Sequence, residues 1–410
     1  MSEWDLGALL GNLEFWKYVS IPVVAAIVGW ATNWVAIQLT FYPLEFVGRP
    51  PFLGWQGIIP AKARRMAEIF MDSTMNRLGT VAEVFEQMDP QKISRHISLS
   101  LRPRMEEYTD EILLKTHPVL WENLPRLFRE RVYQSARDAL PRLVDNLVQE
   151  SGERIEELVD LKHMVVTRLT NDRQLLNRLF LECGDQEFRF IIRSGLYFGF
   201  LFGLVQLAVW YFYPQWWVLP LFGLIVGWAT NWIALNVIFR PLHPKKIGPW
   251  IVQGLFLRRQ PEVAGVWCHI VTREILTIRA LVDEMLNGPR SGHSRSLIQR
   301  HMKPLVDESA GLARGLAQVA LGPEGIAEIE QSVGHKAVEV SPDPFDNHIF
   351  NEGRARVVAE VLTERMAALP SDQFQDLLRP CFQEDEWKLI LTGAVLGLLA
   401  GTAQLVLVFG

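Results

Sequence analysis

Asn33 and Asn231 place carboxamides inside long uncharged runs, each beside a threonine, Thr32 and Thr230. An amide in hydrocarbon finds no water. It therefore ties its helix to a neighbour or coordinates a polar group crossing the bilayer. The first role predicts interhelical hydrogen bonds across an axis of pseudo-symmetry, and the second predicts transport. Gln206 and Gln404 raise the same alternatives one turn beyond Gly195-x3-Gly199-x3-Gly203 and Gly393-x3-Gly397-x3-Gly401. Small residues four apart form a smooth helix face that lets another backbone come close, so these glycines read as packing positions.

The motifs of soluble enzymes are missing. The sequence holds no P-loop, GxGxxG, GxSxG or HExxH. Nine histidines, among them His96, His163, His269 and His335, are scattered without ligand spacing, and the carboxylates read as solvated helix faces. Cys183, Cys268 and Cys381 form no CxxC pair, so neither a disulfide framework nor a zinc site is indicated. The expectation is a protein with no catalytic residues, no metal and no cofactor.

The elements that must position the amides are repeated. Gly29-Trp30-Ala31-Thr32-Asn33-Trp34-Val35-Ala36-Ile37 returns 198 residues later as Gly227-Trp228-Ala229-Thr230-Asn231-Trp232-Ile233-Ala234-Leu235. The same offset maps Gly195, Gly199, Gly203 and Gln206 onto Gly393, Gly397, Gly401 and Gln404. Two agreements at one offset mark an internal duplication, with repeat 1 at 18–213 and repeat 2 at 214–410.

Half of the 410 residues are apolar, with fourteen Trp, and the apolar residues concentrate in local runs. Tyr18–Leu44, Ser194–Phe239 and Leu389–Gly410 carry no charge. A bilayer core takes about 20 apolar residues per helix, and Tyr213-Pro214-Gln215-Trp216-Trp217 breaks the middle run into a hairpin. Four transmembrane helices are expected, at about 18–42, 194–213, 217–239 and 389–409. The first is not expected to be a secretory signal, since it is long and lacks a basic leader. Fifteen basic residues flank the spans on the side of the two large loops, against Lys17 alone opposite. This asymmetry predicts cytoplasmic loops and outward-facing termini. The net charge of −5 and the lack of a dense basic stretch give no reason to expect nucleic acid as a partner.

Residues 1–17 have apolar positions near helical spacing and suit a short interfacial helix. Past each GWATNW span, proline ends the helix at Phe41-Tyr42-Pro43 and Phe239-Arg240-Pro241. A Gln-Gly pair follows, Gln56-Gly57 and Gln253-Gly254, in an apolar loop read as an interfacial hook rather than a re-entrant turn. The loops at about 50–190 and 245–387 read as helical lobes. Leu140, Leu143, Val144 and Leu147 trace one stripe, and no strand pattern is evident. Glu187-Phe188-Arg189 and Glu386-Trp387-Lys388 ahead of the closing spans are expected to anchor those helices among the headgroups. Because both repeats enter and leave the membrane in the same sense, an axis along the membrane normal relates them. The fold class is an all-α integral membrane protein, with four transmembrane helices in two parallel repeats and two large helical cytoplasmic lobes.

The GWATNW segments with their trailing F-x-P, the Gln-Gly turn, and Glu187–Gly195 running into Gly199, Gly203 and Gln206 resemble the YheB/YjiN-like family of bacterial membrane proteins. Asp160-Leu161-Lys162-His163-Met164-Val165 is similar to that family's segment ahead of its closing span. The second half departs from the pattern: Thr392-Gly393 stands for Ser194-Gly195, and no Asp-Leu-Lys is evident. The resemblance implies a domain without assigned function and carries over no catalytic residue. The expected function is a non-catalytic scaffold or organiser of the cell envelope, acting with lipid, copies of itself or envelope proteins. The alternative is an oligomeric conduit for lipid or a small solute.

Overall fold

The computed structural model describes residues 13–49, 53–310, 314–383 and 386–409. Four helices are long and apolar enough to cross a membrane. They are α1 (Leu13–Phe41), α2 (Asp185–Phe212), α3 (Val218–Phe239) and α4 (Glu386–Gln404). Residues 13–17 are the first turns of α1, and the rest of the expected N-terminal helix lies outside the described residues. Helix α2 starts well before its uncharged run, so its first turns carry Asp185, Glu187, Arg189 and Arg193.

The chain divides into two compact units. The membrane unit is residues 1–74, 169–267 and 365–410, and the helical unit is residues 75–168 and 268–364. The two large loops therefore do not fold as separate lobes, because segments of both build one compact unit.

In the membrane unit α1 packs chiefly on α2 and α3 on α4, with α2 against α3 and α1 against α4. Lipid tails are as apolar as leucine, so close packing rather than exclusion of water must hold such a bundle. At one end Ile21, Trp210, Val218 and Leu219 form a buried cluster.

Strands are present, contrary to the sequence reading. After α1, β1 (Val47–Arg49) pairs antiparallel with β2 (Leu53–Trp55), Gly48 facing Gly54. After α3, β3 (Lys245–Ile247) pairs with β4 (Trp250–Val252) across a two-residue turn in which Gly248 has φ +62°. That left-handed conformation is open to glycine and fits a tight hairpin. Three-residue strands are too short for alternation to show in sequence.

The helical unit is all-helical among its described residues. Arg126–Glu153 packs against Pro90–Leu101 and Ser291–Ala310, and Arg314–Val340 against Ser291–Ala310 and Met105–Thr116. Residues 288–290 separate Ile278–Asn287 from Ser291–Ala310, and residues 341–342 lead from Arg314–Val340 into a short 3-10 turn, Asp343–Asp346.

Candidate functional site

The GWATNW motif divides its residues between two faces of a helix. Thr32 and Asn33 are buried, while Trp30 and Trp34 are 42% and 45% exposed. In the second copy Thr230 and Asn231 are buried, with Trp228 and Trp232 exposed. Residues four apart share a helix face, so Gly29 and Asn33 line a seam while the tryptophans turn toward lipid.

The seam explains the glycines. A Cβ on Gly29 or Gly195 would overlap the other's carbonyl, and one on Gly199 would come 3.0 Å from Ala26 Cα. A Cβ on Gly203 would come 2.6 Å from Pro22 Cα. In the second pair Gly393 meets Gly227, Gly397 meets Gly223, and Gly401 meets Leu219 and Pro220. Gly223 and Pro22 were not singled out from the sequence, although the 198-residue offset relates Pro22 to Pro220 and Ala25 to Gly223.

Close approach lets the amides reach across. Asn33 Nδ2 donates to the Ile191 carbonyl at 2.7 Å, and Asn231 Nδ2 to the Leu389 carbonyl at 2.8 Å. Both bonds join the two spans of one sequence half; they do not run between halves as the symmetry argument expected. Thr32 and Thr230 bond back to the Gly29 and Gly227 carbonyls at 3.1 and 3.3 Å. Ser194 Oγ shares the Ile191 carbonyl at 2.9 Å, whereas Thr392 Oγ1 turns to the Lys388 carbonyl at 2.8 Å. The Ser-to-Thr departure thus changes which carbonyl is bonded. Gln206 and Gln404 are buried, and Gln404 Nε2 and Asn33 Oδ1 have no hydrogen-bond partner among the described residues.

The Gln-Gly pairs close the hairpins. Gln56 Nε2 donates to the Leu44 carbonyl at 2.8 Å and the Gly57 amide to the Pro43 carbonyl at 2.9 Å. Gln253 and Gly254 repeat this with the Leu242 and Pro241 carbonyls at 3.3 and 3.0 Å. A Cβ on Gly57 would lie 2.6 Å from the Phe41 carbonyl carbon. The hook is therefore a hairpin clamped to the helix end, where the Tyr42–Pro43 and Arg240–Pro241 bonds are cis.

Glu187 does not face headgroups. It is 3% exposed, and Arg259 Nη1 contacts its two carboxylate oxygens at 2.9 and 2.7 Å. Arg259 also holds Glu262 at 2.7 Å, and these carboxylates raise the guanidinium pKa further.

The segment similar to the family motif, Asp160–Val165, starts a helix in the helical unit. Asp160 Oδ1 accepts from the His163 amide at 3.0 Å, and His163 Nδ1 lies 3.0 Å from the buried Glu284 carboxylate. Burial raises the Glu284 pKa, and His163 pulls it back down. No metal-holding group of His, Cys, Asp or Glu occurs among the described residues.

A feature missed in sequence lies in the same unit. A cavity of about 470 Å³ opens between Arg126–Glu153 and its neighbours. Its wall is overwhelmingly apolar, with Leu140, Val144 and Leu147 of the expected stripe among the lining residues. The stripe was visible in the sequence; the space beneath it had no signal, since filled and unfilled seams use the same residues.

With this geometry established, comparison finds partial likenesses. A UPF0754 protein of Alkalihalophilus pseudofirmus is 26% identical over 143 residues, 34% of this chain and 36% of the relative. A UPF0754 membrane protein of Microcystis aeruginosa is 27% identical over 150 residues, 35% of this chain and 36% of its own length. One of Staphylococcus aureus is 24% identical over 163 residues, 38% of this chain and 41% of the relative. The matched stretches thus span well under half of these relatives. No family model matches the chain, and no solved structure matches it. With four apolar helices and relatives named as membrane proteins, this is a membrane protein whose outer faces contact lipid.

Proposed function

We propose that this chain is a non-catalytic, multi-pass protein of a bacterial inner membrane that takes the apolar chain of a lipid into its helical unit. The observation that carries this reading is the apolar cavity. Pockets that hold small molecules run to about 300–1,000 Å³, are lined mainly by hydrophobic side chains and contain few polar groups. The 470 Å³ space falls inside that range and has the same character. In this reading the spans act as an anchor whose amides are engaged in packing. In the same reading the sequence halves are parallel repeats, the excess of basic residues beside the spans supports a cytoplasmic helical unit, and the shared motifs support a narrower kinship to YheB/YjiN-like proteins. The expected scaffold role is the second reading, favoured by the exposure of Leu99, Val119 and Leu127 on the helical unit.

The test is native mass spectrometry of the detergent-extracted full chain. Wild type is expected to carry lipid at a defined stoichiometry, and Val144→Phe, which fills the cavity wall, to lose it while keeping its helical circular dichroism. Lipid-free wild-type protein that self-associates would replace this reading with the scaffold.

A further inference from the structure

The cavity of the helical unit reaches solvent along one edge. Among its described lining residues only Leu120, Pro125 and Phe128 are exposed. All three stand where the short helix Pro118–Asn123 meets the first turn of Arg126–Glu153. Their neighbours in the chain are barer still. Val119 is 74% exposed and Leu127 84%, the latter more than any other large apolar side chain among the described residues, the outer faces of the spans included. A shallow hollow lined by Val119 shares Leu120, Leu124 and Leu321 with the cavity, so the bare residues are continuous with its mouth. A contiguous apolar rim of this kind marks an interaction site.

The charges beside the rim narrow what it meets. Lys115, Arg126 and Arg131 are exposed and Arg129 is half-buried, and none has an ion-pair partner among the described residues. Elsewhere in the same unit Arg104, Arg137 and Arg142 all hold carboxylates. Along residues 114–131 the four cations outnumber Glu122 and Glu130, and Glu328 from another helix stands 3.8 Å from His117. Apolar side chains flanked by Lys and Arg suit a bilayer interface: the former enter the boundary between headgroups and tails, and the latter meet anionic headgroups. A second copy fits less well. A two-fold contact would set this patch against itself and oppose Arg126, Arg129 and Arg131 to like charges.

We propose that residues 118–128 seat the mouth of the cavity in the headgroup layer of a bilayer that contains anionic lipid. The choice of a lipid surface rests in part on the apolar-chain reading above, since a chain drawn from the bilayer would then reach the cavity without crossing water.

The test uses the full chain in nanodiscs, with a maleimide fluorophore on Leu127→Cys and a nitroxide quencher on the lipid chain just below the headgroup. Wild type, whose Cys183 and Cys268 are buried, is the labelling blank. Phosphatidylglycerol is supplied with quencher in the disc and, separately, in added vesicles. Quenching is expected in one of these arms and not with phosphatidylcholine alone. Arg126→Gln combined with Arg131→Gln is expected to raise the phosphatidylglycerol needed for half of that quenching about tenfold. The same fluorophore on Ile349→Cys, a site 83% exposed but outside the rim, should stay bright. A bright label at position 127 in both arms, or equal quenching at position 349, overturns the docking, while lipid carried by the purified chain would still uphold the cavity reading. An emission change that grows with protein concentration in the absence of phosphatidylglycerol replaces the docking with self-association. Quenching at position 127 in a chain that carries no lipid upholds the docking and removes the cavity reading.

Discussion

Glu284 shows how one buried carboxylate sets a pH dependence. Burial disfavours its charged form, nearby Asp160 and Asp283 add repulsion, and His163 offsets part of both. Its pKa in the folded chain therefore lies above the ordinary value. The stability tied to its protonated form is complete at low pH and is lost as pH rises through the raised pKa. Glutamine imitates that protonated form and still offers an oxygen to His163. Glu284→Gln is accordingly expected to raise the unfolding midpoint at pH 7, with the gain shrinking as pH falls toward the range of free carboxylates. A midpoint that drops at pH 7 would mean that the His163 contact outweighs the burial.

At the scale of elements, the two helix seams rest on shape before hydrogen bonding. An interhelical hydrogen bond in a membrane averages about 0.6 kcal/mol and reaches about 1.7, so Asn33→Leu should cost on that order. Gly195→Ala should cost more, because its Cβ would overlap the Gly29 carbonyl and sit 2.7 Å from Asn33 Nδ2. Overpacking of that kind costs about 1–3 kcal/mol, while the gain in helix propensity is about 1. Gly265, also helical, has nothing within 4 Å of its Cβ direction, so Gly265→Ala is the control that takes the propensity gain of about 1 kcal/mol with no overpacking to offset it. Denaturation in mixed micelles should rank the losses Gly195→Ala, then Asn33→Leu, then Gly265→Ala; the reverse order would make the amides the principal glue. Much of this was legible in sequence. The repetition of Gly29 and Asn33 beside Trp30 and Trp34 marks an inner and an outer face, and the spacing of Gly195, Gly199 and Gly203 marks the partner. The hairpins were not legible, because Val47–Arg49 and Leu53–Trp55 are shorter than the windows in which periodicity shows. The inward turn of Glu187 was also hidden, since its partner Arg259 is 72 residues away.

At the scale of the molecule, the sequence showed two halves and the structure shows two compact units that cut across them. Periodicity records which face of a helix is apolar, but which distant helix covers that face depends on long-range packing that a single sequence does not display. The cavity belongs to the same class of hidden feature, as Tyr108 and Lys336 come from different halves and meet only in the folded helical unit. One consequence concerns a chain that has been cut. Severing it at the Tyr213–Trp217 turn would leave residues 75–168 on one fragment and 268–364 on the other, and would likewise divide the membrane unit. Neither fragment would own a complete core. Expressed alone, each should be cleared by membrane proteases; expressed together, they should protect one another and co-purify through a tag on either. The turn between the halves would then be dispensable as a covalent link, and what holds this protein together would be a partnership that two separate polypeptides could equally form.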